Sequence, residues 1–140
     1  QAEELTYLLQ TADRFENMGD IMQNNMVRVG RHRIEEEIVV SKGTLKIIRE
    51  YHQEVTIALK DTVKAVAQED LDAIKRVRQT KDIIASLTME TAQRGIERLT
   101  ADAPNRLKTY TREREFIEHM DRIYRLCRRI TGSAPTKDQE

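Results

Sequence analysis

Residues 5–29 read Leu5-Thr6-Tyr7-Leu8-Leu9-Gln10-Thr11-Ala12-Asp13-Arg14-Phe15-Glu16-Asn17-Met18-Gly19-Asp20-Ile21-Met22-Gln23-Asn24-Asn25-Met26-Val27-Arg28-Val29. Apolar or small residues recur at Leu5, Leu8, Ala12, Phe15, Gly19, Met22, Met26 and Val29, in alternating steps of three and four. That heptad seam predicts an amphipathic helix. Its end is expected near Gly30, where Arg28, Arg31, His32 and Arg33 set cations against the helix C-terminal dipole.

The same rhythm continues. A second helix, capped by Ser41 or Thr44, carries a seam at Leu45, Ile48, His52, Val55, Leu59, Thr62 and Val66 and ends near Gln68. Glu69, Asp70 and Asp72 suit the first turn of a third helix, where acids are stabilised. That helix carries Leu71, Ile74, Val77, Ile84, Leu87, Ala92, Ile96 and Leu99, interrupted by Lys81, Thr88 and Thr91. Asp102-Ala103-Pro104 breaks the chain, because Pro is tolerated in a first turn and not in a helix interior. A last helix shows Leu107, Tyr110, Phe116, Met120, Ile123, Cys127 and Ile130. No stretch alternates with period two long enough for a strand. The expected fold is all-α, an antiparallel up-down bundle of about four long helices. It spans 1–131, with 132–140 as a disordered polar tail.

Composition agrees. The 140 residues fit one domain, with 34% charged residues, 4% aromatics, five Gly and two Pro. Lys plus Arg equals Asp plus Glu at 24 each, so net charge gives no argument for a nucleic-acid partner. One cysteine, Cys127, excludes an internal disulfide and a Cys-based zinc site. No apolar run is long enough to span a bilayer. The opening Gln1-Ala2-Glu3-Glu4 is already helical in pattern, which suits a piece of a longer protein.

Asp13, Glu16 and Asp20 are spaced three and four apart, on one stripe of the first helix. Such carboxylates either face water or gather a cation, and hard oxygen ligands suit iron, manganese, magnesium or zinc. Gly19 costs about 1 kcal/mol in a helix interior and is easiest to explain where a helix or ligand approaches closely. The last helix holds Glu113, Glu115, Glu118, His119 and Asp121. Glu115 with His119, and Glu118 with Asp121, share faces, but nearby arginines favour ion pairing. His52 on its seam reads as a hydrogen-bonded core residue, His32 as an exposed cap. Arg122, Arg125, Arg128 and Arg129 read first as helix C-terminal charge. Phosphate or acidic lipid contact at Arg125, Arg128 and Arg129 is the functional alternative. No Ser, Cys or Lys stands in a nucleophile context, and Cys127 reads as a small seam residue.

The run Ala12-Asp13-Arg14-Phe15-Glu16-Asn17-Met18-Gly19-Asp20-Ile21 resembles the signature helix of PhoU-like proteins, in which Glu or Asp is followed, after three intervening residues ending in Gly, by Asp. Arg94-Gly95-Ile96-Glu97-Arg98-Leu99 is similar to the family's Glu-Arg-Leu before the last helix. The resemblance covers about residues 5–131. It is strongest to the soluble region that follows the membrane part of bacterial sodium/phosphate cotransporters. It implies a non-enzymatic cytoplasmic domain at the inner face of the cell membrane, attached to a transporter and regulating phosphate uptake by helix packing or self-association. It also implies a homo-oligomer and a divalent or iron-type metal at the signature motif. Glu16 and Asp20 carry over, with Asp13 as a third ligand. The second motif, at Glu118 and Asp121, departs from the pattern: Arg122 falls where the family places Asp, so a full two-motif cluster is not expected.

Two rival readings come from other classes. A structural coiled-coil or bundle adaptor with no metal site would leave the acids on the surface. A ferritin-type metal-carboxylate enzyme needs Glu three residues before His on two helices, a pattern this chain lacks.

Overall fold

A computed structural model of the chain describes residues 1–135, and among them every regular element is helical. The elements are α1 (Ala2–Asp20), a π-helical segment (Ile21–Met26), α2 (Val27–Glu35), α3 (Lys42–Gln68), α4 (Leu71–Gln79), α5 (Lys81–Thr100) and α6 (Arg106–Gly132). α1, the π segment and α2 run on as one rod over 2–35. Thr80 keeps right-handed helical dihedrals between α4 and α5, so 71–100 forms another. With α3 and α6 the chain is four rods.

The boundaries follow local chemistry. Ser41 caps α3, its Oγ accepting from the Thr44 amide at 3.2 Å. Asp70 caps α4, accepting from the amides of Asp72 and Ala73 at 3.0 Å each. The break at Asp102-Ala103-Pro104 is non-helical as expected, and Asn105, with φ 57°, turns the chain into α6. The first rod does not stop near Gly30 but continues to Glu35. No glycine has positive φ, so Gly30 does not act as a left-handed cap. Glu37 supplies that turn instead, at φ 51°. α6 ends at Gly132, one residue into the span expected as tail. The rest of that span within 136–140 lies outside the described residues.

α6 is the organising element. It packs against every other helix, whereas the backbone of the first rod approaches α6 alone. The core joins Met18 and Ile21 to Ile47, Tyr51, Val55 and Ala58 of α3, Val77 of α4, Ile84 and Leu87 of α5, and Met120, Ile123, Tyr124, Cys127 and Ile130 of α6. Each fully buried apolar side chain contributes roughly 1.5–3 kcal/mol, which is what holds helices that would be marginal alone. Arg76 clasps Asp61 through two bonds of 3.0 and 2.8 Å, fastening α4 to α3.

Two seams are shifted in part from where periodicity places them: Phe15, Met26 and Val29 of the first rod and Ile48, Val55, Leu59, Thr62 and Val66 of α3 lie in or against the core as expected, and other positions do not. In the first rod Thr11, Met18, Ile21 and Val29 are buried, while Leu5, Leu8, Ala12, Gly19 and Met22 are exposed. The rod carries two apolar stripes and one docking groove, and the bulkier Met18 and Ile21 take the groove. In α3 the buried line is Ile47, Tyr51, Val55, Ala58, Thr62 and Ala65, which leaves His52 exposed rather than in the core. Tyr51 fixes that rotation: its hydroxyl lies 3.2 Å from Thr88 Oγ1 and donates to Asp121 at 3.4 Å.

Candidate functional site

Asp13, Glu16 and Asp20 all face solvent on α1, and none has a hydrogen-bond or ion-pair partner among the described residues. The π segment begins one residue after Asp20. A Cβ placed on Gly19 would meet nothing within 4 Å, so within the chain nothing approaches the glycine closely. The close approach that Gly19 suggests in sequence has no internal partner. Beside this stripe lie Leu5, Leu8 and Leu9, exposed by 59%, 48% and 64%.

The residues of the second motif are engaged elsewhere. Glu118 accepts from Arg114 at 2.8 Å, and Asp121 pairs with Arg125 and accepts from Tyr51. Glu115 is held by Arg112 at 2.9 Å, and half-buried His119 keeps an unpartnered Nδ1. Burial, then the nearby Arg122, holds the His119 pKa below its usual value, favouring the neutral ring. Among the described residues no three His, Cys, Asp or Glu converge as a ligand group. The donors at Asp13, Glu16 and Asp20 come from one helix alone, so the described chain does not by itself close a coordination sphere around a metal.

At the other end of the bundle the charged groups are fasteners. Arg112 forks onto Glu36 at 2.7 and 2.9 Å and tethers the end of the first rod to α6. Glu36 is held below the usual carboxylate range, chiefly by that hydrogen bond. Arg98 of α5 donates to Glu113 Oε1 at 2.8 Å and to Thr44 Oγ1 at 3.0 Å. Cys127 is fully buried and its thiol is pushed up to about 11, the opposite of an activated nucleophile.

A strongly charged cavity lies at the end of α6. A cleft of about 340 Å³ is lined by Arg78, Arg125, Arg128, Arg129, Thr131 and Gly132. Three of these arginines stand out in sequence. Arg78 does not, because nothing in the pattern of α4 says which neighbour its last turn meets. It is placed by Tyr124, whose hydroxyl donates to the carbonyl of Val77, the residue before Arg78, at 2.8 Å.

Compared with protein-family models, with curated proteins and with solved structures, the chain matches none of them.

Proposed function

We propose that this chain is a non-enzymatic regulatory domain of the PhoU-like kind. In this reading it is the cytoplasmic part of a sodium-dependent phosphate transporter, and it modulates uptake through packing or self-association of its first rod. The short links at 36–41, 69–70 and 101–105 favour rods that double back on one another, the up-down arrangement this reading carries with it.

One observation supports it above the others. The carboxylates of the signature-like run lie on the outward side of a rod that also exposes Leu5, Leu8 and Leu9 and leaves open space at Gly19. A contiguous apolar strip beside small residues is the surface a second helix seeks. Charge favours a second copy as the occupant. Asp13, Glu16 and Asp20 lie N-terminal to Arg28 and Arg31 on the exposed side of the rod, so antiparallel pairing sets opposite charges together.

The test is Leu5→Ser/Leu8→Ser/Leu9→Ser in the full-length transporter and in the isolated domain. We expect altered phosphate uptake from the first and loss of self-association by sedimentation from the second. Unchanged uptake and unchanged association together would discard the reading. The alternative, a bundle adaptor with no metal site, draws on the solvent-facing carboxylates and their lack of converging partners. Elemental analysis of the purified domain separates the two: bound metal lost on Glu16→Ala/Asp20→Ala excludes the adaptor.

A further inference from the structure

We infer that the arginine cleft between α4 and α6 is a binding site for a phosphate-bearing anion, a phosphomonoester or pyrophosphate group presented by four guanidiniums. The site is separate from the exposed face of the first rod and does not depend on the function proposed for it.

The cleft holds unspent donors. Each guanidinium carries five N–H groups in a rigid fork that matches phosphate oxygens two at a time. Arg125 is paired with Asp121. Arg78, Arg128 and Arg129 have neither an ion-pair nor a hydrogen-bond partner for their side chains among the described residues. Like charges gathered on one cavity wall repel, and this gathering is imposed by two different helices that are held together by the Tyr124 to Val77 hydrogen bond.

Helix-end charge does not account for it. The last-turn carbonyl of Arg129 is taken by Ser133, whose Oγ donates at 2.7 Å, and by Arg14 of the first rod at 3.4 Å. The cleft arginines are not what satisfies that helix end. A helix terminus presents about half a negative charge, and Asp121 adds one more. More than two of the four positive charges stay unneutralised. Asp82, the other carboxylate acting on Tyr124, does not line the cleft. The size suits a small anion of more than one charge, and the four forks suit phosphate geometry over a single carboxylate.

The chemistry can come from a soluble phosphate or from a phosphomonoester lipid headgroup, and the experiment separates them. Calorimetric titration with inorganic phosphate and with pyrophosphate forms one arm. Co-sedimentation with phosphatidylcholine vesicles, with and without phosphatidic acid, forms the other. Binding in the first arm assigns a soluble ligand, and binding confined to the second assigns a headgroup. In whichever arm binds, Arg78→Gln and Arg128→Gln, two exposed residues without partners, are each expected to weaken affinity about tenfold. Arg49→Gln, on an exposed face of α3 outside the cleft, is expected to leave it unchanged. Circular dichroism confirms that each variant is folded. Absence of binding in both arms overturns the inference. So does equal weakening by Arg49→Gln, which would mean diffuse surface charge instead of a site.

Discussion

The hydroxyl of Tyr124 on α6 donates to the backbone carbonyl of Val77 on α4 at 2.8 Å, and both residues are buried. Burial pushes the phenol up to about 12, so it remains a protonated donor at neutral pH. The bond sits where α4 gives way to α5 at Thr80, and it ties that junction to the central helix.

Removing this donor should be costly out of proportion to one oxygen atom. Tyr124→Phe keeps the ring in the core and leaves a buried carbonyl short of a partner, a loss of about 1–2 kcal/mol. Urea denaturation should show the midpoint falling without a change in slope. Amide exchange should quicken over 77–84, around the released junction. An unchanged midpoint would mean that water replaces the phenol and that the bond does not hold α4 in place.

The Arg98–Glu113 pair gives a pH dependence with a definite sign. Glu113 is 7% exposed and Arg98 17%. Burial raises the Glu113 pKa and the Arg98 charge opposes it. An acid whose folded pKa is raised favours the folded state when protonated. Its contribution is full below the ordinary carboxylate value and fades as pH rises through the folded pKa. Arg98→Met removes the opposing charge, so it should cost about 3 kcal/mol near neutral pH and recover part of that on acidification. Denaturation of the variant at a series of pH values checks this, and Arg98→Met/Glu113→Gln should lose the pH slope. A variant whose stability does not climb on acidification would show that Glu113 is protonated already.

The helices were legible because their signals are local: periodicity, Ser41 and Asp70 as caps, and a proline break each act within a few residues. The rotation of the last helix was legible too, its seam at Met120, Ile123, Cys127 and Ile130 being buried; that of the first rod and of α3 was not, and His52 shows why. Its stripe and the stripe of Tyr51 are both apolar enough to face a core, and the choice depends on Thr88 and Asp121, far away in sequence. The carboxylate stripe at Asp13, Glu16 and Asp20 was visible as spacing, but its solvent-facing side depends on which flank of the rod meets α6. The arginine cleft was half visible. Arg125, Arg128 and Arg129 share one helix, whereas Arg78 joins them only through the packing that Tyr124 secures.

Two helix-interior glycines should respond to alanine with opposite signs. At Gly95 an added Cβ would lie 2.7 and 2.8 Å from ring carbons of Tyr110, which α6 brings against α5. The ring is half-buried and must shift, so overpacking of about 1–3 kcal/mol outweighs the helix propensity gained. At Gly19 the space is open and only the propensity term acts, so Gly19→Ala should stabilise the isolated domain by about 0.5–1 kcal/mol. Urea melts of the two variants beside the wild type decide the signs. The same Gly19→Ala protein then serves a second measurement. A methyl group that stabilises the monomer yet weakens self-association would place the docked helix against this glycine. A methyl group that stabilises the monomer and leaves association unchanged would move the contact away from the Gly19 side of the rod.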